Sequence, residues 1–259
     1  MSYLTKQQLK SVCLRMRTFY TGLSAYYKAF NMDLESNKGR RNILMSEPME
    51  QFLAERLKKE FLSVIADGRT GKADLMIKYV EGKEKELECK LTGPNALGQV
   101  SFQTDFETLT KKGELDYIYI VANRDFNRFC AIHFVGLTVG DFRPLSPGSR
   151  GKVQMYKHQG MKKANVLLGK TINLNDFMIS KIVEKQNQIL DEHEKKIISW
   201  KKAIDLLKDT QMYKKKTLNS QIERANKKVE ERINKLNNRI NILKERKASY
   251  SFEFESVED

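Results

Sequence analysis

Hydrophobic spacing sets the first expectations. Between residues 4 and 31, Leu9, Val12, Cys13, Met16, Phe19, Tyr20, Leu23 and Tyr27 recur at helical intervals and predict a helix with one apolar face. Gly22 lowers the helical propensity of that segment. SNKGRRN, 36–42, reads as a basic connector. Ser46-Glu47-Pro48 then looks like a helix start, with a capping serine and a proline in the first turn. The helix MEQFLAERLKKEFLSVI is expected to run to about Ile65, and DGRTGK, 67–72, has the composition of a turn.

The period then changes. ADLMIKYVEGKEKELECKLTG, 73–93, contains two apolar-patterned runs joined by a charged turn, which predicts a hairpin. DYIYIVA, 116–122, and FCAIHFVGL, 129–137, are two more strands rich in β-branched and aromatic residues, with NRDFNR as the turn between them. Residues 95–112 read as a helix through Leu97, Val100, Phe102, Phe106 and Leu109, and 141–170 as irregular. The expected class is α+β, a mixed sheet with flanking helices.

After Gly169 neither glycine nor proline occurs. Val183, Leu190, Ile197 and Ile204 are spaced by seven, with Gln186, His193, Trp200 and Leu207 at a second seam position. Ile222, Val229, Leu236 and Leu243 repeat the period in another phase, with Ile233 and Ile240 beside them. The polar patch at 209–217 falls between the two series, so a helical hairpin with an antiparallel coiled coil is expected. One bent helix of about 100 Å is the other reading. The chain therefore divides into residues 1–174, a coiled-coil hairpin over 175–248 and an acidic tail over 249–259. The tail, with alternating aromatics, either adds an edge strand or stays disordered.

Charge changes the picture. The 259 residues include 47 Lys and Arg against 33 Asp and Glu, a formal net charge of +14, which favours a polyanionic partner. A lysine-rich surface with no specific partner would give the same balance. Cys13, Cys89 and Cys130 are too far apart to suggest a metal pair or a disulfide framework. The first ten residues lack the apolar run of a signal peptide, and no stretch of about 18 apolar residues occurs. A cytoplasmic protein with no membrane association is expected.

Candidate chemistry lies in the hairpin. Alternation puts Glu86, Glu88 and Lys90 on one side of the second strand and Leu87, Cys89 and Leu91 on the other. A turn near Glu81-Gly82 makes paired residue numbers sum to about 163, placing Asp74 opposite Cys89 and beside both Glu88 and Lys90. Two carboxylates on rigid strands suit Mg²⁺, which takes oxygen ligands together with phosphate and water. A lysine beside them can position the attacking water, help deprotonate it, or neutralise charge on the phosphorus oxygens. Glu-x-Lys also occurs at Glu81-Lys83, Glu194-Lys196 and Glu245-Lys247, but only Glu88-Lys90 combines an apolar strand with an acidic residue across a hairpin. The plain alternative is a solvent-facing strand with ordinary cross-strand ion pairs.

This pattern resembles the PD-(D/E)xK nuclease superfamily, and within it the type II restriction endonucleases. GKADLMI carries the Asp, and LECKL carries the Glu and Lys, with Ala73 where the family often has proline. The resemblance covers about residues 45–137. It implies an α/β/α restriction-endonuclease-like core, Mg²⁺ as cofactor, and Asp74, Glu88 and Lys90 as catalytic residues. It also implies a metal-binding Glu on the preceding helix, with Glu50 or Glu55 favoured and Glu60 a further candidate, and a polar residue after the motif, Gln99 or Gln103. Double-stranded DNA would be cut to 5′-phosphate and 3′-hydroxyl ends, and most such enzymes act as homodimers.

Residues for DNA contact follow from charge and hydrogen-bonding chemistry. In GSRGKVQMYKHQGMKK, 148–163, Gly148 and Gly151 allow close approach of a phosphate, with Lys152 and Lys157 as cations. Arg150 could pair with guanine and Gln154 or Gln159 with adenine. Arg69 and Lys72 precede Asp74, and Ser101 and Gln103 add a polar face. A basic loop with no base contact is the plain reading of the same segment. His133 is expected in the sheet, and neither it nor His158 reads as a zinc ligand. The coiled coil is expected first to brace the core or dimerise the chain, and second to lie along DNA. Three functions compete: a type II restriction enzyme, another nuclease of the same superfamily acting in repair, at junctions or in phage defence, and a non-catalytic DNA-binding coiled-coil protein. No phosphate-cradling glycine motif supports an ATP-driven motor or a kinase.

Overall fold

The computed structural model describes residues 2–67, 72–96, 98–148, 151–207, 211–245 and 249–258. Two compact units emerge, Met1–Ile172 with Tyr250–Asp259, and Asn173–Ser249. The first is α+β, a mixed sheet with flanking helices.

Helix α1, Lys6–Ala29, opens on a capping box in which the Thr5 hydroxyl accepts from Gln8 N and the Gln8 side chain accepts from Thr5 N at 2.7 Å. Its buried stripe is Leu9, Val12, Cys13, Met16 and Tyr20. Helix α2, Lys38–Leu57, starts earlier than expected, capped by Asn37, whose Oδ1 accepts from Arg40 N at 3.0 Å. Pro48 therefore lies inside the helix rather than in its first turn. The buried stripe Arg41, Met45, Met49 and Leu53 carries the helix past the proline, so packing outweighs the missing N–H.

The helix also ends earlier than expected. Glu60 N and Phe61 N both bond to the Leu57 carbonyl, and the chain turns into strand β1, Ser63–Ala66. β1, β2 (Leu75–Lys78) and β3 (Glu84–Thr92) form an antiparallel meander. The β2–β3 turn uses Gly82 at φ +80°, where a side chain would be strained.

The described residues of 95–112 do not form one helix, and Leu97 lies outside the described residues. Val100, Phe102 and Thr104 are buried alternately, giving the short strand β4, Gln103–Asp105. Asp105 Oδ1 then caps α3, Phe106–Lys112, by accepting from Thr108 N at 2.9 Å. β5, Glu114–Ala122, runs parallel to β3 and antiparallel to β6, Arg128–Thr138. The segment expected to be irregular contains β7 (Lys152–Gln154), the short helix α4 (Lys157–Gly160) and β8 (Ala164–Leu168), which pairs with β6. β9, Lys170–Asn173, pairs with β10, Tyr250–Glu253, and β11, Glu255–Ser256, also joins β6. Among the described residues the main sheet runs β1-β2-β3-β5-β6-β11, with β8 attached to β6.

Alternation along β5 divides the interior. Ile118 and Ile120 face a core with α1 and α2, while Tyr117, Tyr119 and Val121 face a second core with Phe102, Val153 and Met155.

The second unit is a pair of long helices, α5 (Leu174–Asp205) and α6 (Met212–Glu245). Gln186 Nε2 donates to Asn237 Oδ1 at 2.8 Å, and His193 Nε2 lies 2.8 Å from Asn226 Oδ1, which fixes an antiparallel register. The seam of α5 is Ile182 and Ile189. Val183 and Leu190, expected there, are 40% and 47% exposed. Among the described residues no helix is long and apolar enough to cross a membrane.

Candidate active site

The hairpin register places Leu75 opposite Leu87, one step from the expected pairing, so Asp74 comes level with Glu88 rather than Cys89. The Asp74 carboxylate still reaches its neighbour: Oδ2 accepts from Cys89 N at 2.7 Å. Leu75, Ile77, Leu87 and Cys89 are buried against α1 and α2. Glu88 and Lys90 take the alternate positions.

Lys90 Nζ lies 2.6 Å from Glu88 Oε1 and 3.8 Å from Asp74 Oδ2. One ammonium therefore bridges two carboxylates. Burial opposes its charge, but the attraction of Glu88 and Asp74 and the hydrogen bond to Glu88 prevail and raise its pKa. Glu88 is buried, and among the described residues its Oε2 has no hydrogen-bond partner. Burial and the Asp74 charge raise its pKa against the pull of Lys90.

Helix α2 supplies a third carboxyl. Glu50 is pushed up to about 7, first by burial and then by the charge of Asp74, with Glu88 adding to the shift and Lys90 opposing it. The charges of all three hairpin residues thus act on Glu50. The other helix candidates are engaged elsewhere. Glu55 pairs with Arg15 of α1 at 2.8 Å, and Glu60 pairs with Arg56 at 2.7 Å and also receives Gln8.

Among the described residues no group of three or more His, Cys, Asp or Glu side chains is gathered as a metal-ligand cluster. The Lys90 ammonium occupies the approach between the two hairpin carboxylates instead. The residues nevertheless fit a hard divalent cation, because Asp74 and Glu88 offer carboxylate oxygens and Glu88 Oε2 is a buried acceptor without a donor among the described residues.

A cleft of about 220 Å³ adjoins Lys90 and is lined by Ser101, Gln103, Asp105 and Lys152 among others. Gln154 joins them through Ser101, donating from Nε2 to Oγ at 3.0 Å. Four of the residues chosen for DNA contact, Ser101, Gln103, Lys152 and Gln154, thus gather beside the hairpin. Lys72 is exposed two residues before Asp74. Lys157 is half-buried, and burial together with Arg143 lowers its pKa. Gln99 and Gln159 are exposed outside the group that lines the cleft. Arg69 and Arg150 lie outside the described residues. His133 is fully buried, with Nδ1 2.8 Å from Ser2 Oγ.

Sequence reasoning missed two tyrosines. Tyr117 and Tyr119 are the β5 register partners of Glu88 and Lys90. The Tyr119 hydroxyl donates to the Gln103 carbonyl at 2.9 Å, and the Tyr117 hydroxyl lies 2.9 Å from Thr104 Oγ1. Their alternate spacing in DYIYIVA was the available signal, since it puts both rings on one face. No protein-family model, curated protein or solved structure matches the chain at a significant level.

Proposed function

We propose that the chain is a Mg²⁺-dependent endonuclease of the PD-(D/E)xK type, cutting double-stranded DNA at a short specific sequence as type II restriction enzymes do. The observation that carries this reading is the convergence of Asp74, Glu88 and Lys90, with the ammonium 2.6 Å from one carboxylate and 3.8 Å from the other. A restriction-endonuclease-like core belongs to the same proposal. It is supported by the order α2, β1-β2-β3, α3 and β5, with β5 parallel to β3.

Asp74 and Glu88 would hold the metal, and Glu50, which feels the charges of both, would be the helix carboxylate that joins them. When bound, Mg²⁺ would polarise the scissile phosphate and acidify a water molecule. Lys90 keeps its proton, so its part is to orient that water and to neutralise charge on the phosphorus oxygens. The products would carry 5′-phosphate and 3′-hydroxyl ends. The net charge of +14 favours a polyanion.

Digestion of phage DNA of known sequence, with Mg²⁺ and with EDTA, tests the reading. Discrete fragments with Mg²⁺ alone are expected, and sequencing their ends gives the site. A smear would keep the nuclease and remove the restriction specificity. Intact plain, modified and branched DNA, bound but uncut, would overturn the enzyme and leave a binding protein.

A further inference from the structure

β4 and β7 form a two-stranded ribbon in which Gln103 faces Gln154, Thr104 faces Val153 and Asp105 faces Lys152. Phe102, Thr104, Val153 and Met155 are buried beneath it. Alternation leaves Ser101, Gln103, Asp105, Lys152 and Gln154 on the other face. Most of that face lines the cleft that holds Lys90.

A surface made only to grip phosphates would be built of cations. This one holds two amides, a hydroxyl, a carboxylate and one lysine. The carboxylate of Asp105 already caps α3. The Gln154 amide is oriented, because Nε2 donates to Ser101 Oγ at 3.0 Å. That bond uses one of the two N–H groups and leaves Oε1 and the second N–H for a ligand. Adenine presents the matching edge in the major groove, an N6 donor beside the N7 acceptor, whereas guanine presents two acceptors. The major groove also admits a two-stranded ribbon, and Lys152, two register steps from Gln154 on the same face, is placed for a phosphate.

We infer that the β4–β7 ribbon is the base-reading element of the site, with Gln154, oriented by Ser101 and flanked by Gln103, selecting adenine in the major groove of duplex DNA. The inference rests on the nuclease reading for its substrate.

The test is selection of duplexes bound by the full-length protein from a random-sequence pool, with Ca²⁺ in place of Mg²⁺ and in parallel with EDTA. Wild type should enrich a motif with at least one fixed A·T pair. Replacing that adenine with 7-deazaadenine, which lacks N7, should weaken wild-type binding about tenfold or more. The same replacement should leave the binding of Gln154→Ala unchanged, and that variant should enrich a motif relaxed at this position. The modified base probes the intact protein, so a misfolded variant cannot imitate the result. The inference is overturned if wild type, Gln103→Ala and Gln154→Ala enrich the same motif, or if 7-deazaadenine costs wild type nothing. A motif that is bound but never cut with Mg²⁺ would overturn the nuclease and leave the ribbon standing. Cutting at sites indifferent to both glutamines would do the reverse, and failure to bind any duplex would overturn both.

Discussion

The Tyr119 hydroxyl donates to the Gln103 carbonyl at 2.9 Å, and Tyr119 is the register partner of Lys90. The strand that lies beside the lysine therefore also holds the ribbon across the cleft. Tyr117 repeats the arrangement with Thr104 and stacks on Tyr119 at a centroid distance of 5.9 Å. Tyr119→Phe should keep the ring packing and remove one buried hydrogen bond, costing about 1 kcal/mol. For a unit of this size the thermal midpoint should drop by about 2–4 °C. Tyr117→Phe should behave similarly, because Thr104 Oγ1 is then left buried. Calorimetry checks both, and unchanged midpoints would mean that the ribbon is held by apolar packing alone.

Lys90→Ala removes the ammonium that bridges Asp74 and Glu88. The fold should survive, since burial already raises the pKa of Glu88 and the carboxyl can take a proton when the cation that opposes that shift is lost. DNA binding should stay within about threefold, while cleavage falls by roughly 10²–10³-fold. Lys90→Arg keeps the charge but replaces a compact ammonium with a broad planar fork, so only part of the rate should return. Single-turnover cleavage of one mapped site measures this, and a Lys90→Ala rate within tenfold of wild type would end the assigned role.

These residues were legible because a hairpin is a local structure. Asp74, Glu88 and Lys90 are brought together by alternation and a short turn, and an error of one register step did not separate them. The choice between Glu50 and Glu55 was not local. It depends on how α2 lies on the sheet, and the pairing of Glu55 with Arg15 of α1 cannot be read from spacing. The ribbon was hidden for the same reason, since each strand has three residues and Gln103 meets Gln154 only through the tertiary fold. In α5, Ile182 with Ile189 and Val183 with Leu190 have the same seven-residue spacing, and only α6 decides which pair is covered. The start of α2 was misread because Arg41 looks like surface and is core.

Glu50 gives the metal-free protein a distinct pH dependence. Its carboxyl is pushed up from 4.5 to about 7, first by burial and then by Asp74. Between those values the folded chain keeps a proton that the unfolded chain has released, so stability falls as pH rises. The contribution is fully present below about pH 4.5 and is lost as pH rises through about 7. After allowance for solvent screening it should amount to about 1–2 kcal/mol. Urea unfolding in EDTA from pH 5 to 8 should show this decline in wild type and a flatter profile in Glu50→Gln. Identical profiles would mean that neither burial nor Asp74 perturbs Glu50.

Arg41 is fully buried, and its guanidinium is spent on the turn between β5 and β6. Nη1 donates to the carbonyls of Asn123 at 3.1 Å and Arg124 at 2.6 Å, while Nε and Nη2 reach Asn42 Oδ1 at 3.3 and 3.2 Å. The group also lies 5.0 Å from the centroid of the Phe126 ring, whose residue takes a φ of 56° in that turn. Burial lowers the pKa of Arg41, yet a guanidinium keeps its proton in a folded protein. Arg41→Met would fill much of the same space and leave the two turn carbonyls without these donors, at a cost of about 2–4 kcal/mol. Arg41→Lys keeps a charge but loses the fork that spans both carbonyls, so it should recover only part of that loss. Urea unfolding of the three proteins measures the difference. A cost below about 1 kcal/mol for Arg41→Met would show that the turn is held instead by packing of Phe126 on Phe129, whose centroids lie 5.2 Å apart.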